Sequence, residues 1–353
     1  MRGKRRIFLR LQLVILLIAL SILPYIVFAE ELTPSENPVS QQTSTEQTLA
    51  DNQALLPNVP ENHWAYEDIS QLYQQGMIRL DNGNQLTPDQ PITRAQFIYM
   101  ILTGKGISPV PTIGNHFKDV NPDDWFYPYV EMAFQIGLTN GTKKGETNYF
   151  YPNDLLTREE MVTLLVRAQG KMREAQVIPW GEATEALKSF PDQWDLEDWA
   201  RRPFAYALQK GITKAYPDGL LRPKKISTVA EAASFVYRGL YLPRTNLKTA
   251  QVDGITIYYT SKIEGMKTTA YSKGEPTVPG VFTRMGLFVR KGLVAVDPNV
   301  IPLGTYLYVE GYGFAMAADT GGAIKGNVID LYVESIEKAR KHGVDYRNVY
   351  ILN

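Results

Sequence analysis

Three aspartates near the end of the chain hold its most suggestive chemistry. Asp297 stands in GLVAVDP, Asp319 in GFAMAADT and Asp330 in NVIDLYV. Each ends or breaks a short apolar run, where a carboxylate is costly unless it is hydrogen-bonded or has a chemical task. Asp319 and Asp330 flank a glycine-rich stretch, TGGAIKGN, with Lys325 inside it. A phosphate loop would need Gly-Lys-Ser/Thr opening a helix, whereas Lys325 is followed by GNVIDLYV, a strand pattern. A calcium loop is excluded too, because its carboxylates cluster at alternate positions and these aspartates lie 22 and 11 residues apart.

The rest of the composition narrows the chemistry further. There is no cysteine, so thiol catalysis and disulfides are absent, and the three histidines (His63, His116, His342) are scattered. That leaves no transition-metal cluster and no histidine-activated nucleophile. Thirty-seven basic residues balance 37 acidic ones, which argues against a nucleic-acid binder. Catalysis must rest on carboxylates, with no metal and no cofactor.

Six short β-branched runs must position these aspartates: KTTAYS, GLVAVDP, TYLYVEGY, GFAMAADT, NVIDLYV and RNVYIL, with one helix at 335–343. Their spacing and glycine punctuation predict a small β-barrel over 266–353. Residues 243–265 read as a linker with one strand, GITIYYT.

Upstream lies an internal repeat. NHWAYEDISQLYQQGMI (62–78), DDWFYPYVEMAFQIGLT (123–139) and EDWARRPFAYALQKGIT (197–213) align without gaps, and Trp64, Trp125 and Trp199 each precede a glycine by twelve residues. Apolar spacing between Trp and Gly is helical, and the glycine ends the helix. A turn with Pro88, Pro152 or Pro223 follows, then a second helix opened by a capping box: Thr93 with Gln96, Thr157 with Glu160, Thr228 with Glu231. Units of about 50 residues cannot bury a core alone, so three pack together.

The N-terminus is basic, MRGKRRIFLR, then apolar from Leu11 to Phe28. With small residues at Val27 and Ala29, it predicts a signal peptide, 1–29; an uncleaved membrane anchor is the alternative. Residues 30–56 are polar and rich in Ser, Thr and Gln, and predict a disordered spacer.

The repeats resemble the S-layer homology domain through their HWA-type openings and ITRAQ and LTREE motifs, over 57–116, 117–189 and 190–242. The resemblance implies a triplet that binds secondary cell-wall polysaccharide in grooves between repeats. Carried over, Arg94 and Arg158 are the motif arginines, but the third copy has Val229 there. The first copy lacks the leading aspartate that Asp119 and Asp192 supply in the others. At least one groove should therefore be degraded. Trp64, Trp125 and Trp199 are either core aromatics or polymer contacts.

TTAYS at 268–272, GLVAVDPNVIPLGTYLYVEGYG at 292–313 and AADTGGAIKGNVIDLY at 317–332 resemble the three-aspartate (3D) domain. That domain is similar to the C-terminal part of the membrane-bound lytic transglycosylase A family, a double-psi β-barrel. The resemblance implies cleavage of peptidoglycan between N-acetylmuramic acid and N-acetylglucosamine to a 1,6-anhydro sugar. One carboxyl group suffices: it protonates the leaving oxygen, then takes a proton from the C6 hydroxyl. By this resemblance Asp330 is the acid/base, with Asp319 and Asp297 beside it. Thr269 and Lys325 are candidate sugar contacts, Tyr271 is either barrel packing or a third contact, and Gly321 and Gly322 let a glycan approach the backbone. The chain departs from the family between Gly274 and Gly292, where TRMGLFVRKG keeps only Thr283 and Gly286.

The expectation is thus a multi-domain protein, an all-α repeat triplet followed by a double-psi barrel. It implies a cell-wall-anchored lytic transglycosylase exported to a Gram-positive-type envelope, touching a membrane only if its leading segment stays uncleaved. The rival is a non-catalytic glycan binder.

Overall fold

Each repeat begins with a helix that ends at the expected glycine. In the computed structural model, which describes residues 58–79, 86–109, 114–273 and 280–352, these helices are α1 (Tyr66–Gln74), α3 (Tyr127–Gln135) and, later in the chain, α7 (Asp198–Gln209). The signal segment and spacer expected over 1–56 lie outside the described residues. Gly76, Gly137 and Gly211 follow with φ of 66°, 72° and 68°, left-handed values that favour glycine. The N–H after each glycine reaches back into the helix: Met77 to Leu72, Leu138 to Ala133 and Ile212 to Ala207, all at 2.8 Å.

The second helices are α2 (Arg94–Lys105), α4 (Arg158–Ala168) and α8 (Val229–Val236), and all three capping boxes are formed. A cap of this kind is worth about 1 kcal/mol. Their first backbone N–H groups would be orphans, yet each finds a carbonyl in the next repeat's turn. Ala95 donates to Pro152, Glu159 to Pro223 and Ala230 to Pro88. Ile92, Leu156 and Ser227 close a ring of their own: Ile92 donates to Ser227, Ser227 to Leu156 and Leu156 to Ile92. Each repeat thus completes the hydrogen bonding of another, which explains why three are needed.

The triplet is not all-α. Bridges Pro91–Thr228, Thr93–Leu155 and Thr157–Ile226 tie the repeats together as extended backbone. Repeat two also carries a hairpin, β1 (Thr142–Lys144) with β2 (Thr147–Tyr149). The described residues are mixed, about one-third helix and 22% strand. The orphan N–H groups of three helix starts recruit neighbouring chain into ladder-like pairing, a demand that helical periodicity does not reveal.

Two short helices, α5 (Met172–Gln176) and α6 (Trp180–Leu187), join repeats two and three. After α8 a π-helical turn (Tyr237–Tyr241) and α9 (Leu242–Thr245) lead to a second hairpin, β3 (Lys248–Val252) and β4 (Ile255–Tyr259). Its turn is Asp253-Gly254, both at positive φ.

The barrel contains β5 (Ser261–Tyr271), β6 (Leu293–Val296), β7 (Tyr306–Val309), β8 (Gly313–Asp319), β9 (Val328–Tyr332) and β10 (Asp345–Ile351), closed in the order β10-β5-β9-β6-β8-β7. The pairs β5–β9 and β6–β8 are parallel and the others antiparallel. One helix, α10 (Ile336–His342), lies between β9 and β10. Met266, Val294, Val296, Leu307, Ile329 and Val349 belong to its buried interior.

Barrel and repeats share a core. A single buried cluster includes Ile101, Val130 and Leu165 together with Leu293, Tyr306, Met316 and Leu352. Arg290 lies 3.9 Å over the Phe134 ring, and its Nε donates to the Phe134 carbonyl at 2.8 Å. Gly170 and Gly304 meet backbone to backbone: a Cβ on Gly170 would stand 2.9 Å from the Gly304 oxygen.

Candidate functional site

Four adjacent strands carry one row of residues. Thr269 on β5 pairs with Asp330 on β9, Asp330 with Ala295 on β6, and Ala295 with Asp319 on β8. Paired residues face the same side of a sheet, so the row sets two carboxylates on one surface, two strand spacings apart. That is about 10 Å between their backbones. Thr269 Oγ1 donates to Asp330 Oδ1 at 2.6 Å. All three side-chain-bearing ends of the row, Thr269, Asp330 and Asp319, are half-buried.

Tyr271 lies two residues beyond Thr269 on the same face. It is 8% exposed, and its hydroxyl has no hydrogen-bond partner among the described residues. Burial pushes its phenol up, and the charges of Asp319 and Asp330 push it further. It is therefore a neutral donor beside two carboxylates. Its ring also packs edge-on to Tyr332, with centroids 5.5 Å apart, so packing and a free donor coexist in one residue.

Asp319 Oδ1 accepts the N–H groups of Arg284 and Thr320, both at 2.8 Å. Arg284 belongs to the 274–291 stretch, which resembles the 3D pattern least. The two residues retained there shape that segment: Thr283 is buried and accepts the Leu287 N–H at 3.2 Å, and Gly286 turns the chain at φ 73°. Met285 N–H then donates to the Ala318 carbonyl. Sequence reasoning missed Arg284, because a backbone donor leaves no residue-type signal.

Asp297 stands apart from the row. Its Oδ1 accepts the Asn299 N–H at 3.0 Å and its Oδ2 the Gly326 N–H at 2.8 Å. The Gly326 and Asn299 amides, helped by the Lys325 charge, hold its carboxyl below the usual range. It therefore clips the glycine-rich loop to the end of β6. Lys325 and Gly322 are exposed on that loop. A Cβ on Gly322 would meet nothing within 4 Å, whereas one on Gly321 would stand 2.8 Å from Ile324. Gly326, also missed from sequence, is the loop residue that reaches Asp297.

The repeats form three equivalent grooves of unequal size. The largest, about 770 Å³, holds Arg158, Tyr216, Phe235 and Trp64. Arg158 is buried, donates to Thr213 Oγ1 at 3.0 Å and the Lys214 carbonyl at 2.8 Å, and stacks 4.6 Å from the Tyr216 ring centre. The second, about 530 Å³, holds Arg94, Glu160 and Trp199, with Arg94 paired to Glu160 at 3.0 Å. The third, at Val229, encloses about 10 Å³. Trp64 and Trp199 are 60% and 52% exposed, so they are not core residues. Trp125 is partly buried, with Arg79 4.7 Å over its ring. Asp119 and Asp192 serve the fold: Asp119 accepts from the Phe150 and Tyr151 N–H groups, Asp192 from those of Leu221 and Arg222.

Comparison with known proteins finds two kinds of domain in this chain. The S-layer homology domain model matches residues 59–98, 116–162 and 190–233, and the 3D domain model matches 292–353. The cell wall-binding protein YocH of Bacillus subtilis is 50% identical over 97 residues, 26% of this chain and 33% of that protein. The amylopullulanase of Thermoanaerobacterium thermosulfurigenes is 31% identical over 176 residues, 50% of this chain and 9% of that one. The chain thus covers a third or less of these relatives' lengths. Among solved structures, MltA from E. coli is 28% identical over 21% of this chain and 27% of that one, at a TM-score of 0.19, too slight a likeness to bear on the fold. The chain carries an S-layer homology triplet followed by a 3D domain, the domain content of a cell-surface protein.

Proposed function

We propose that the barrel is a peptidoglycan lytic transglycosylase and that the repeats hold it on cell-wall polysaccharide. The observation that carries this reading is the row itself: Asp330, hydrogen-bonded by Thr269, on one surface with Asp319. Asp330, protonated, gives its proton to the glycosidic oxygen as the bond from C1 breaks. The resulting carboxylate takes the proton of the C6 hydroxyl as that oxygen bonds to C1 and closes the 1,6-anhydro ring. No water is consumed, so one acid/base group suffices where hydrolytic glycosidases need two carboxylates. Asp319, kept in place by two backbone amides, offsets the positive charge that develops at C1. Tyr271 donates to a sugar oxygen, and Thr269 orients Asp330. Asp297 fixes the loop whose exposed Lys325 and Gly322 border the glycan.

In the repeats, Trp64 and Trp199 stack on sugar faces, and Arg158 and Arg94 meet the polymer's oxygens or acidic groups. The groove at Val229 is too small to take part.

Digestion of peptidoglycan in heavy-oxygen water tests the chemistry. Transglycosylation gives anhydro ends without label; labelled reducing ends would mean hydrolysis instead. A second reading, glycan binding without cleavage, draws on the altered stretch before Gly292, whose backbone occupies one oxygen of Asp319. It predicts neither product.

A further inference from the structure

Between the repeats and the barrel lies a cavity of about 890 Å³ that neither proposed activity uses. Lys105, Lys171, Arg173 and Lys210 line its repeat side, and Pro298 and Thr305 its barrel side. Gln169, Lys210, Ile212, Gly239 and Pro243 line both this cavity and the Arg158 groove, so the two meet edge to edge. Gln169 Nε2 donates to the Gly239 carbonyl at 3.0 Å and forms the sill between them.

The charge along this trough is one-sided. Glu174 is the one carboxylate among the cavity's lining residues, and Lys171 at 2.7 Å and Tyr206 at 3.0 Å already occupy it. Glu231 in the groove is held by Lys225 at 2.8 Å, by Tyr216 and by the Thr228 N–H. Arg158, Arg173 and Lys210 make no ion pair among the described residues. Arg158, the cation at the groove end, is only 6% exposed, so the site is built into the fold and is more than a charged surface. Trp64, in the groove, and Pro298 and Pro302, in the cavity, supply flat apolar faces for sugar rings. Groove and cavity each fall in the size range of a small-ligand site, so a chain of several sugars spans both.

We propose that the Arg158 groove and this cavity form one extended site for an acidic polysaccharide, so that the strand gripped by the repeats continues against the barrel at Pro298 and Thr305. Carboxylate or phosphate substituents pair with Arg173 and Lys210, and the ring faces lie on the aromatic and proline surfaces. The barrel then shares the anchoring polymer on a face other than its aspartate row. This extension rests on the reading that the groove takes wall polymer.

Calorimetric titration of the 30–353 protein tests it. The probe is acidic polysaccharide released from Gram-positive walls by mild acid and separated by length. Fragments long enough to span both spaces should bind about tenfold tighter than short ones. Arg173→Ala and Arg173→Glu, exposed positions tolerant of change, should erase that gain and leave short-fragment affinity unaltered. Arg158→Ala should weaken both lengths. If short fragments bind but length brings no gain, or if the gain survives in Arg173→Glu, the cavity has no part in binding. If no fragment of either length binds, the groove reading fails and the extension with it.

Discussion

Thr269 and Asp330 stand opposite each other on parallel strands, hydroxyl to carboxylate at 2.6 Å. Two residues far apart in sequence are thereby locked into one rotamer relationship at one end of a four-strand row. The bond fixes which Asp330 oxygen faces the substrate, so Thr269→Val, nearly isosteric, should lower turnover about tenfold with little change in substrate affinity. Anhydro-muropeptide release measured against substrate concentration separates kcat from KM and checks this.

Asp297 is expected to matter for stability, and through acid rather than through catalysis. Its folded-state pKa lies below the ordinary 3.8, because the Gly326 and Asn299 amides favour the charged form. The stability it contributes is therefore complete above about pH 4 and lost as pH falls through the lowered value. Asp297→Asn should lower Tm at neutral pH and flatten the decline of Tm below pH 4. Thermal melts across that range give the comparison.

Lys105 carries the opposite signature. Burial pushes its amine down from 10.5 to about 7. Between those values the unfolded chain binds a proton that the folded one lacks, so stability rises with pH through that window. Lys105→Met keeps the volume and removes the penalty. It should stabilise by a few kcal/mol at pH 7 and by little near pH 10, measured by urea unfolding.

Gly170 and Gly304 bring repeats and barrel together backbone to backbone. With φ of 72° at Gly170 and a backbone oxygen 2.9 Å from any added Cβ, Gly170→Ala is both strained and obstructed. Calorimetry should show one transition for the native chain and two for the variant, as the barrel separates from the triplet.

Much of this architecture is legible in sequence where a residue type has one job. The tryptophan-to-glycine interval, the three capping boxes and the three prolines mark the repeats, and each capping threonine does what its spacing predicts. The six barrel strands stand out as β-branched runs. What escapes is backbone chemistry: the hydrogen-bond ring through Ile92, Leu156 and Ser227 gives the triplet its extended pairing, and every residue type but proline has that N–H group. The hairpin Thr142–Tyr149 escapes because its first strand is fully exposed and its second half-buried, so no alternation betrays it. The β3–β4 hairpin was readable, since Asp253-Gly254 is a type I′ turn signal, yet only its second strand stands out as an apolar run. At the candidate site, Asp319 and Asp330 are evident as types, but the separation of Asp297 from their row depends on register, which sequence spacing does not fix.

The central claim is that Asp330 moves the proton at the scissile bond. Purified 30–353 protein and its Asp330→Asn variant are incubated with peptidoglycan, and the digests are separated and weighed by mass spectrometry. The account predicts 1,6-anhydro-muropeptides from the native protein and a loss of about a hundredfold or more in the variant, with wall binding unchanged in both. Undiminished anhydro product from Asp330→Asn, or none from the native protein, would contradict it.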